Sequence, residues 1–221
     1  MTYDLIIVSK SDGDLIQMTE QCIASARQDG AELNVIIVET GQPYKYDVNK
    51  IIEYNGEFNY NRALNLGLKY AKGDIHILAN NDLVFHEGWS QIGDLMKEYG
   101  YHSASALSHS CRGFKFENKA YEGYDIGTLL TGWCIFMDKY CREQIVSLDE
   151  TMSFWYSDNL YAEQLQTAGI THALFCNVRV DHITSRTLAK QPSRVQRKFQ
   201  IGEFNKYINR KRYYAQKKQL H

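Results

Sequence analysis

Between Gly73 and Asp82 the chain runs through Ile75-His76-Ile77-Leu78-Ala79 and is then cut off by three polar side chains in succession, Asn80, Asn81 and Asp82. An apolar run of that length, bounded by turn residues, fits a strand buried on both faces, the kind found in parallel sheets. Its polar end falls at the carboxyl edge of the sheet, where open α/β folds bind ligands. Asp82, ahead of Leu83-Val84-Phe85, is suited there to a divalent cation held against a pyrophosphate. Hard cations take carboxylate oxygen and leave positions for phosphate. Asn-Asn-Asp is also ordinary strand-ending chemistry, so the segment alone leaves both readings open.

The surrounding pattern sets this strand in an alternating series. Apolar periodicity predicts strands over 3–9, 33–39 and 51–54 and a helix from Leu15 to Arg27. Tyr60, Leu64, Leu68 and Ala71 recur at helical spacing and are closed by Gly73. Strands separated by helices predict the α/β class, with a mainly parallel, Rossmann-like sheet flanked by helices. Right-handed crossovers then bring Ser9-Lys10-Ser11, Glu39-Thr40 and Asn80-Asn81-Asp82 to one rim. In the second half the pattern predicts a helix over 89–99, a strand over 103–108 and a polar hairpin or loop over 114–124. A long apolar strand from Leu129 to Met137 follows, then a helix over 158–169 and a strand over 172–180. The tail has helical composition, but its apolar stripe drifts from Val195 and Phe199 to Ile201, Phe204 and Ile208. A bend near Gly202 would reconcile the two faces.

Length and charge divide the chain further. Its 221 residues, 44% hydrophobic and 23% charged, fit one globular domain with an appendage. The formal charge of −1 hides a segregation: from Arg186 to His221 there are eleven Lys or Arg and one acid, Glu203. Removing these from the totals of 25 basic and 26 acidic residues leaves 14 and 25, so the body carries −11 and the tail +10. Residues 1–185 are therefore read as the body and 186–221 as a basic helical extension. Such asymmetry points to a polyanionic partner for the tail, or to docking of the tail on its own acidic body. Five cysteines, odd in number and without a C-x-x-C pair, read as reduced thiols of a cytoplasmic protein. No apolar run approaches the ~20 residues of a membrane span, and Met1-Thr2-Tyr3-Asp4 lacks the basic start of a signal peptide. Nothing in the pattern marks an obligate protein partner.

Several motifs in order carry a resemblance. The stretch from Phe58 through Asn59-Tyr60-Asn61-Arg62-Ala63-Leu64-Asn65-Leu66-Gly67 to Gly73-Asp74, followed by Asn81-Asp82, resembles the core signature of the GT-A family 2 nucleotide-sugar glycosyltransferases. The likeness takes in Ile6-Ile7-Val8 and Ile36-Ile37-Val38-Glu39 upstream, and Gly132-Trp133-Cys134-Ile135-Phe136, Trp155-Tyr156-Ser157-Asp158 and Val180-Asp181-His182 downstream. It covers about residues 3 to 185 and leaves the tail unexplained.

The resemblance implies a GT-A fold, a nucleotide-sugar donor, most simply a UDP-sugar, and Mn or Mg as cofactor. It implies that Asp82 and His182 hold the cation on the donor diphosphate, and that Asp158 is the base of an inverting transfer. It places Ser9, Ser11, Glu39, Arg62, Asn65 and Asn81 around the nucleotide, and Trp133 and Trp155 as an aromatic wall. Asn80 and Asn81 depart from the all-acidic metal motif, and Glu39 stands where Asp is more usual. On the residues alone, a first-turn Asp158 is a cap favoured in its ionised form by the helix dipole. His182, Arg62 and Asn65 equally fit structural or solvated positions.

The acceptor is approached through the tail, where Arg210, Lys211 and Arg212 are interleaved with Phe199, Phe204, Tyr207, Tyr213 and Tyr214. Cations among aromatics suit phosphates and bases. With 16 tyrosines the chain is also similar in general character to phage-encoded enzymes that glycosylate hydroxymethylated pyrimidines in viral DNA. That likeness implies a flipped base at Asp158 and the host cytoplasm as location. A basic tail equally suits anionic lipid, with a lipid-linked or surface polysaccharide acceptor. From other classes, a sugar-phosphate nucleotidyltransferase would want a glycine-rich loop where Ser9-Lys10-Ser11-Asp12-Gly13-Asp14 stands, and a non-catalytic nucleic-acid-binding protein would not turn over a nucleotide sugar.

Overall fold

The most apolar segments of the first half become adjacent parallel strands. β1 (Thr2–Ser9) lies between β2 (Glu32–Glu39) and β4 (Ile75–Asn80), with Ile6 opposite both Ile36 and Leu78, and β3 (Lys50–Glu53) completes the edge beside β2. The computed structural model describes residues 1–183 and 193–219, and of 193–196 the backbone alone. Because strand side chains alternate between faces, the two layers of helices bury different residues. One face sets Leu5, Ile7, Val35 and Ile37 with Cys22 and Ile23 of α1 (Asp14–Arg27) and with Trp89. The other sets Ile6, Ile36 and Leu78 against Leu64 and Leu68 of α2 (Tyr60–Leu68). Asn59 caps α2 by accepting from the Arg62 N–H at 2.9 Å. Gly67 lets that helix lie directly on β1, since a methyl group there would collide with the Ile6 side chain.

The second half extends the sheet differently. Its elements are β5 (Leu83–Phe85), α3 (Gln91–Tyr99), β6 (Ser103–Leu107), β7 (Ala120–Glu122), β8 (Cys134–Asp138), α4 (Lys139–Gln144), α5 (Ser157–Thr167), β9 (His172–His182) and α6 (Ser193–Lys218). The nine-stranded sheet runs β3-β2-β1-β4-β8-β6-β9-β5, with β7 on β9. β4 through β3 are parallel as expected, whereas β8 enters antiparallel to both β4 and β6, and β5 and β7 antiparallel to β9. The α/β sheet is thus parallel in its first half and mixed in its second.

Two expectations are corrected. The apolar run 129–137 is strand only from Cys134; before it, the N–H groups of Leu129 and Leu130 both donate to the Asp125 carbonyl at 3.0 Å, closing a turn. That turn puts Gly132 and Trp133 on the rim. The tail does not bend at Gly202: α6 continues through it. Its inward stripe is not the drifting apolar one but Glu203, Tyr207, Arg210 and Tyr214, while Phe199, Ile201 and Phe204 are exposed. The 185/186 boundary, Arg186 and Lys190 lie outside the described residues, as do the side chains of Arg194 and Val195. All five cysteines are free and buried. Among the described residues no helix is long and apolar enough to cross a membrane.

Candidate active site

The carboxyl ends of the strands gather the site. β4 ends at Asn80, whose side-chain oxygen accepts from the Tyr60 hydroxyl at 2.7 Å, and the chain turns through Asn81 and Asp82 into β5. β5 pairs with the last residues of β9, Leu83 opposite His182, and the Ile183 N–H donates to the Asp82 carbonyl at 2.9 Å. This pairing holds Asp82 Oδ1 and His182 Nε2 3.0 Å apart, with the Asp82 side chain 7% and the His182 side chain 14% exposed. Neither atom has a hydrogen-bond partner of good geometry. Buried polar atoms are normally hydrogen-bonded, so an ion pair whose two atoms lack a hydrogen bond is a candidate place for a third species. Carboxylate oxygen and imidazole nitrogen are the donors that first-row divalent cations accept. Among the described residues no cluster of three or more such ligands exists.

The Gly132-Trp133 turn joins this pair to Asp158. The Trp133 ring stacks on the His182 imidazole at 5.1 Å and 4°. On its other side, a Cβ at Gly132 would stand 2.6 Å from the Asp158 Cβ and 2.7 Å from Oδ2, so only glycine admits the carboxylate there. Asp158 sits in the first turn of α5 and accepts from the Asn159 N–H at 2.9 Å. Burial pushes its pKa up, and the bonds from the backbone N–H groups of Asn159 and Asp158 only partly oppose that. Tyr60 lies between the two acidic centres, its phenol pushed up by burial and by the nearby Asp82, Cys134 and Asp158. Sequence reasoning passed over Tyr60, although it stands inside the quoted signature.

The β1 and β2 ends form a closed network. Glu39 Oε1 accepts from the N–H groups of Ser11 (2.8 Å) and Gly41 (2.7 Å), and Oε2 from the Ser11 hydroxyl (2.6 Å). Tyr46 joins the hydroxyls of Ser9 and Ser11 at 3.1 and 2.9 Å, and Thr19 meets both Ser9 and Asn81 at 3.0 Å. Ser9, Ser11 and Glu39 therefore shape the rim beside Asn81, with their side chains engaged among themselves. Tyr46 and Thr19, at unremarked sequence positions, complete it.

Other candidates fall elsewhere. The Asn65 amide donates to the Leu148 carbonyl and Glu150 and accepts from the Leu148 N–H, all at 2.9 to 3.0 Å, so it clamps the 148–150 loop. Arg62 makes an ion pair with Glu150 at 2.8 Å on the same loop. Trp155 is half-buried edge-on to Phe154 at 5.5 Å. The Arg210 guanidinium meets the buried Asp149 at 2.5 Å. Lys211 stands 3.8 Å from Glu163, and Arg212 is exposed.

This rim on a half-parallel, half-mixed sheet is the GT-A fold. Among solved structures the chain is similar to GalNAc-T7, crystallised with UDP, GalNAc and Mn2+, at a TM-score of 0.69 and 11% identity over 88% of this chain and 45% of that one. It is also similar to S. aureus TarS, with a TM-score of 0.62 and 13% identity over 84% of this chain and 37% of that one, and to TarS 1-349, with 0.63 and 10% over 82% and 60%. The chain thus spans between 37% and 60% of the length of these structures, and the likeness is one of fold. No protein-family model matches the sequence, and no curated protein is similar to it.

Proposed function

We propose that the protein is a metal-dependent glycosyltransferase that moves a sugar from a nucleotide-sugar donor, most simply a UDP-sugar, to an acceptor hydroxyl with inversion. The observation that carries this is the convergence of Asp82 Oδ1 and His182 Nε2, 3.0 Å apart and otherwise unbonded, at the carboxyl end of the sheet. The chemistry that Mn or Mg supplies at such a pair is neutralisation of the departing nucleotide diphosphate. Asp158 accepts the acceptor's proton as its oxygen bonds to the anomeric carbon, while the carbon–oxygen bond to the diphosphate breaks with its electron pair. A raised carboxyl pKa suits that role, because a stronger base takes the proton more readily. Ser9, Ser11, Glu39 and Asn81 shape the wall for the nucleoside, and Trp133 holds the His182 ring while facing the sugar.

Hydroxymethylated DNA is the acceptor to try first, although the tail supports it less than its composition does. Arg210, Lys211 and Lys218 face Asp149 and Glu163, while Arg197, Lys198, Lys206, Arg212 and Lys217 are exposed and available to phosphates. A lipid-linked or surface glycan remains the competing acceptor.

The test is thermal stabilisation by UDP-GalNAc, UDP-GlcNAc and UDP-glucose with and without Mn, followed by transfer to hydroxymethylated DNA. A Mn-dependent shift that Asp82→Asn abolishes is expected. A shift indifferent to metal and to Asp82 overturns the proposal. Labelled DNA identifies the acceptor, and unlabelled DNA with an intact donor shift assigns the acceptor to a glycan.

A further inference from the structure

The segment 149–158, which carries Asp158, is held by α2 and its cap, through Asn59, Tyr60, Asn61, Arg62 and Asn65, and by α6. Glu203 of α6, 1% exposed, accepts from the N–H groups of both Ser153 (2.9 Å) and Phe154 (3.0 Å) through a single oxygen. One turn on, Tyr207 stacks on Tyr156 at 5.3 Å and 7°, and Phe204 packs on the same ring at 5.7 Å. A further turn on, Arg210 and Tyr214 grip Asp149 at 2.5 and 2.7 Å. Met152 and Leu160 pack with Tyr207 and Tyr214 in one buried cluster.

Tyr156 is the one non-glycine residue with positive φ among the described residues, at 64°. For a residue with a Cβ this conformation is costly and persists only where the surroundings over-determine it. Here it is the residue that turns the chain into α5, so its conformation sets where Ser157 and Asp158 begin the helix. Asp158 in turn has almost no latitude, being packed against the Gly132 backbone. The tail's one acid is also the residue that meets the two backbone N–H groups, a strange use of charge for a tail built only to bind a polyanion.

We propose that α6 is a positioning strut for the base: Glu203 and Tyr207 hold the 153–156 turn in its left-handed conformation and thereby fix Asp158 against Gly132. The inference rests on Asp158 being the base, as argued above. It assigns positioning roles to two residues of a tail that the sequence reading connected with an acceptor or with simple docking on the body. Conservative replacements should preserve the role, because Gln keeps an oxygen for the two N–H groups and Phe keeps the stacked ring.

The experiment uses the full chain with Mn and UDP-GalNAc as probe, reading UDP affinity, binding stoichiometry and the kcat of donor hydrolysis, together with hydrogen exchange of the 150–158 amides. Tyr207→Ala and Glu203→Ala are expected to keep UDP affinity and stoichiometry and to lose about 10²-fold in kcat, the scale of a ~1 Å misplacement. Faster exchange at Ser153 and Phe154 is expected in Glu203→Ala, with Tyr207→Phe and Glu203→Gln close to the parent protein. Exchange that stays slow in Glu203→Ala overturns the inference whether or not this donor is hydrolysed. So does an unchanged kcat per UDP-binding molecule in both alanine variants. Asp158→Asn separates the two levels: if it hydrolyses donor like the parent, the assignment of the base fails; if it is inert while the alanine variants are fully active, only the strut fails.

Discussion

The ring of Trp133 lies flat on the imidazole of His182, 5.1 Å between centroids and 4° from parallel, so the orientation of one proposed cation ligand is set by a side chain from another strand's approach. Groups that orient a ligand influence metal affinity nearly as much as the ligand itself. Trp133→Ala is expected to weaken Mn-dependent UDP binding by about 10-fold, and Trp133→Phe to retain most of it. Calorimetric titration of UDP with saturating Mn measures this; equal affinities in parent and alanine variant would reduce the stack to packing.

Asp158→Asn is expected to bind donor normally and to lose about 10²–10⁴-fold in transfer, the usual contribution of a general base. In the parent protein the rate should rise with pH through the elevated Asp158 pKa and then level off. The stability effect has the opposite sign. A carboxyl whose folded-state pKa is raised binds more protons folded than unfolded, so stability falls as pH rises from its unfolded value through its folded one. The Asn variant should therefore melt higher than the parent at neutral pH and lose that advantage in acid. Thermal melts across pH would expose a wrong sign.

Gly132→Ala tests the approach of Asp158 from the opposite side. The new methyl group meets Asp158 Cβ at 2.6 Å, an atom tied to the backbone that cannot swing away. Transfer should fall by at least about 10-fold while the Asp82–His182 pair still binds Mn and UDP, since small displacements of a reacting group are costly. If donor affinity and turnover fell together, the damage would lie in the whole rim.

Asp149 predicts how the tail responds to acid. Burial alone would raise its pKa, but hydrogen bonds from Thr151, Arg210 and Tyr214 outweigh it and leave it lowered. The stabilisation is present above the unfolded carboxylate value and is lost as pH falls through the lower folded value, below about pH 4. Arg210→Ala should cost about 1–3 kcal/mol at neutral pH, because a buried carboxylate loses a charged donor. It should also move the onset of α6 release to higher pH, read by a fluorescent label on Arg212→Cys. An onset unchanged by the substitution would deny Asp149 the anchoring role.

How far the sequence could be read depended on range. The strands β1, β2 and β4 were legible because each is an apolar run that owes its identity to its own residues. The same holds for α2, with Asn59 at its cap and Gly67 at the contact with β1. Asp82 and His182 were named in sequence, and the fold brings them to 3.0 Å. The turn at 125–131 was missed because an apolar composition conceals it: Leu129 and Leu130 look like strand, and only the Asp125 carbonyl, through tertiary placement, makes them a turn. The contacts of Asn65 were not legible because the loop it clamps lies 83 residues away. In the tail, counting charges left a polyanionic partner and docking on the body both open; Arg210, Lys218 and Glu203 find partners in Asp149, Glu163 and two backbone N–H groups.

The short ladder between β5 and β9 has a consequence for the history of each molecule. Asp82 belongs to the first half of the chain and His182 to the last described strand, and they meet only when three residue pairs zip together. Contacts so distant along the chain form late, after the loop between them has been closed. A nascent chain that has folded its parallel half thus possesses the rim of β1, β2 and β4 but not the Asp82–His182 pair that we propose for a cation. On the function we propose, competence would arrive only with β9, so that a chain not yet made that far could not spend donor.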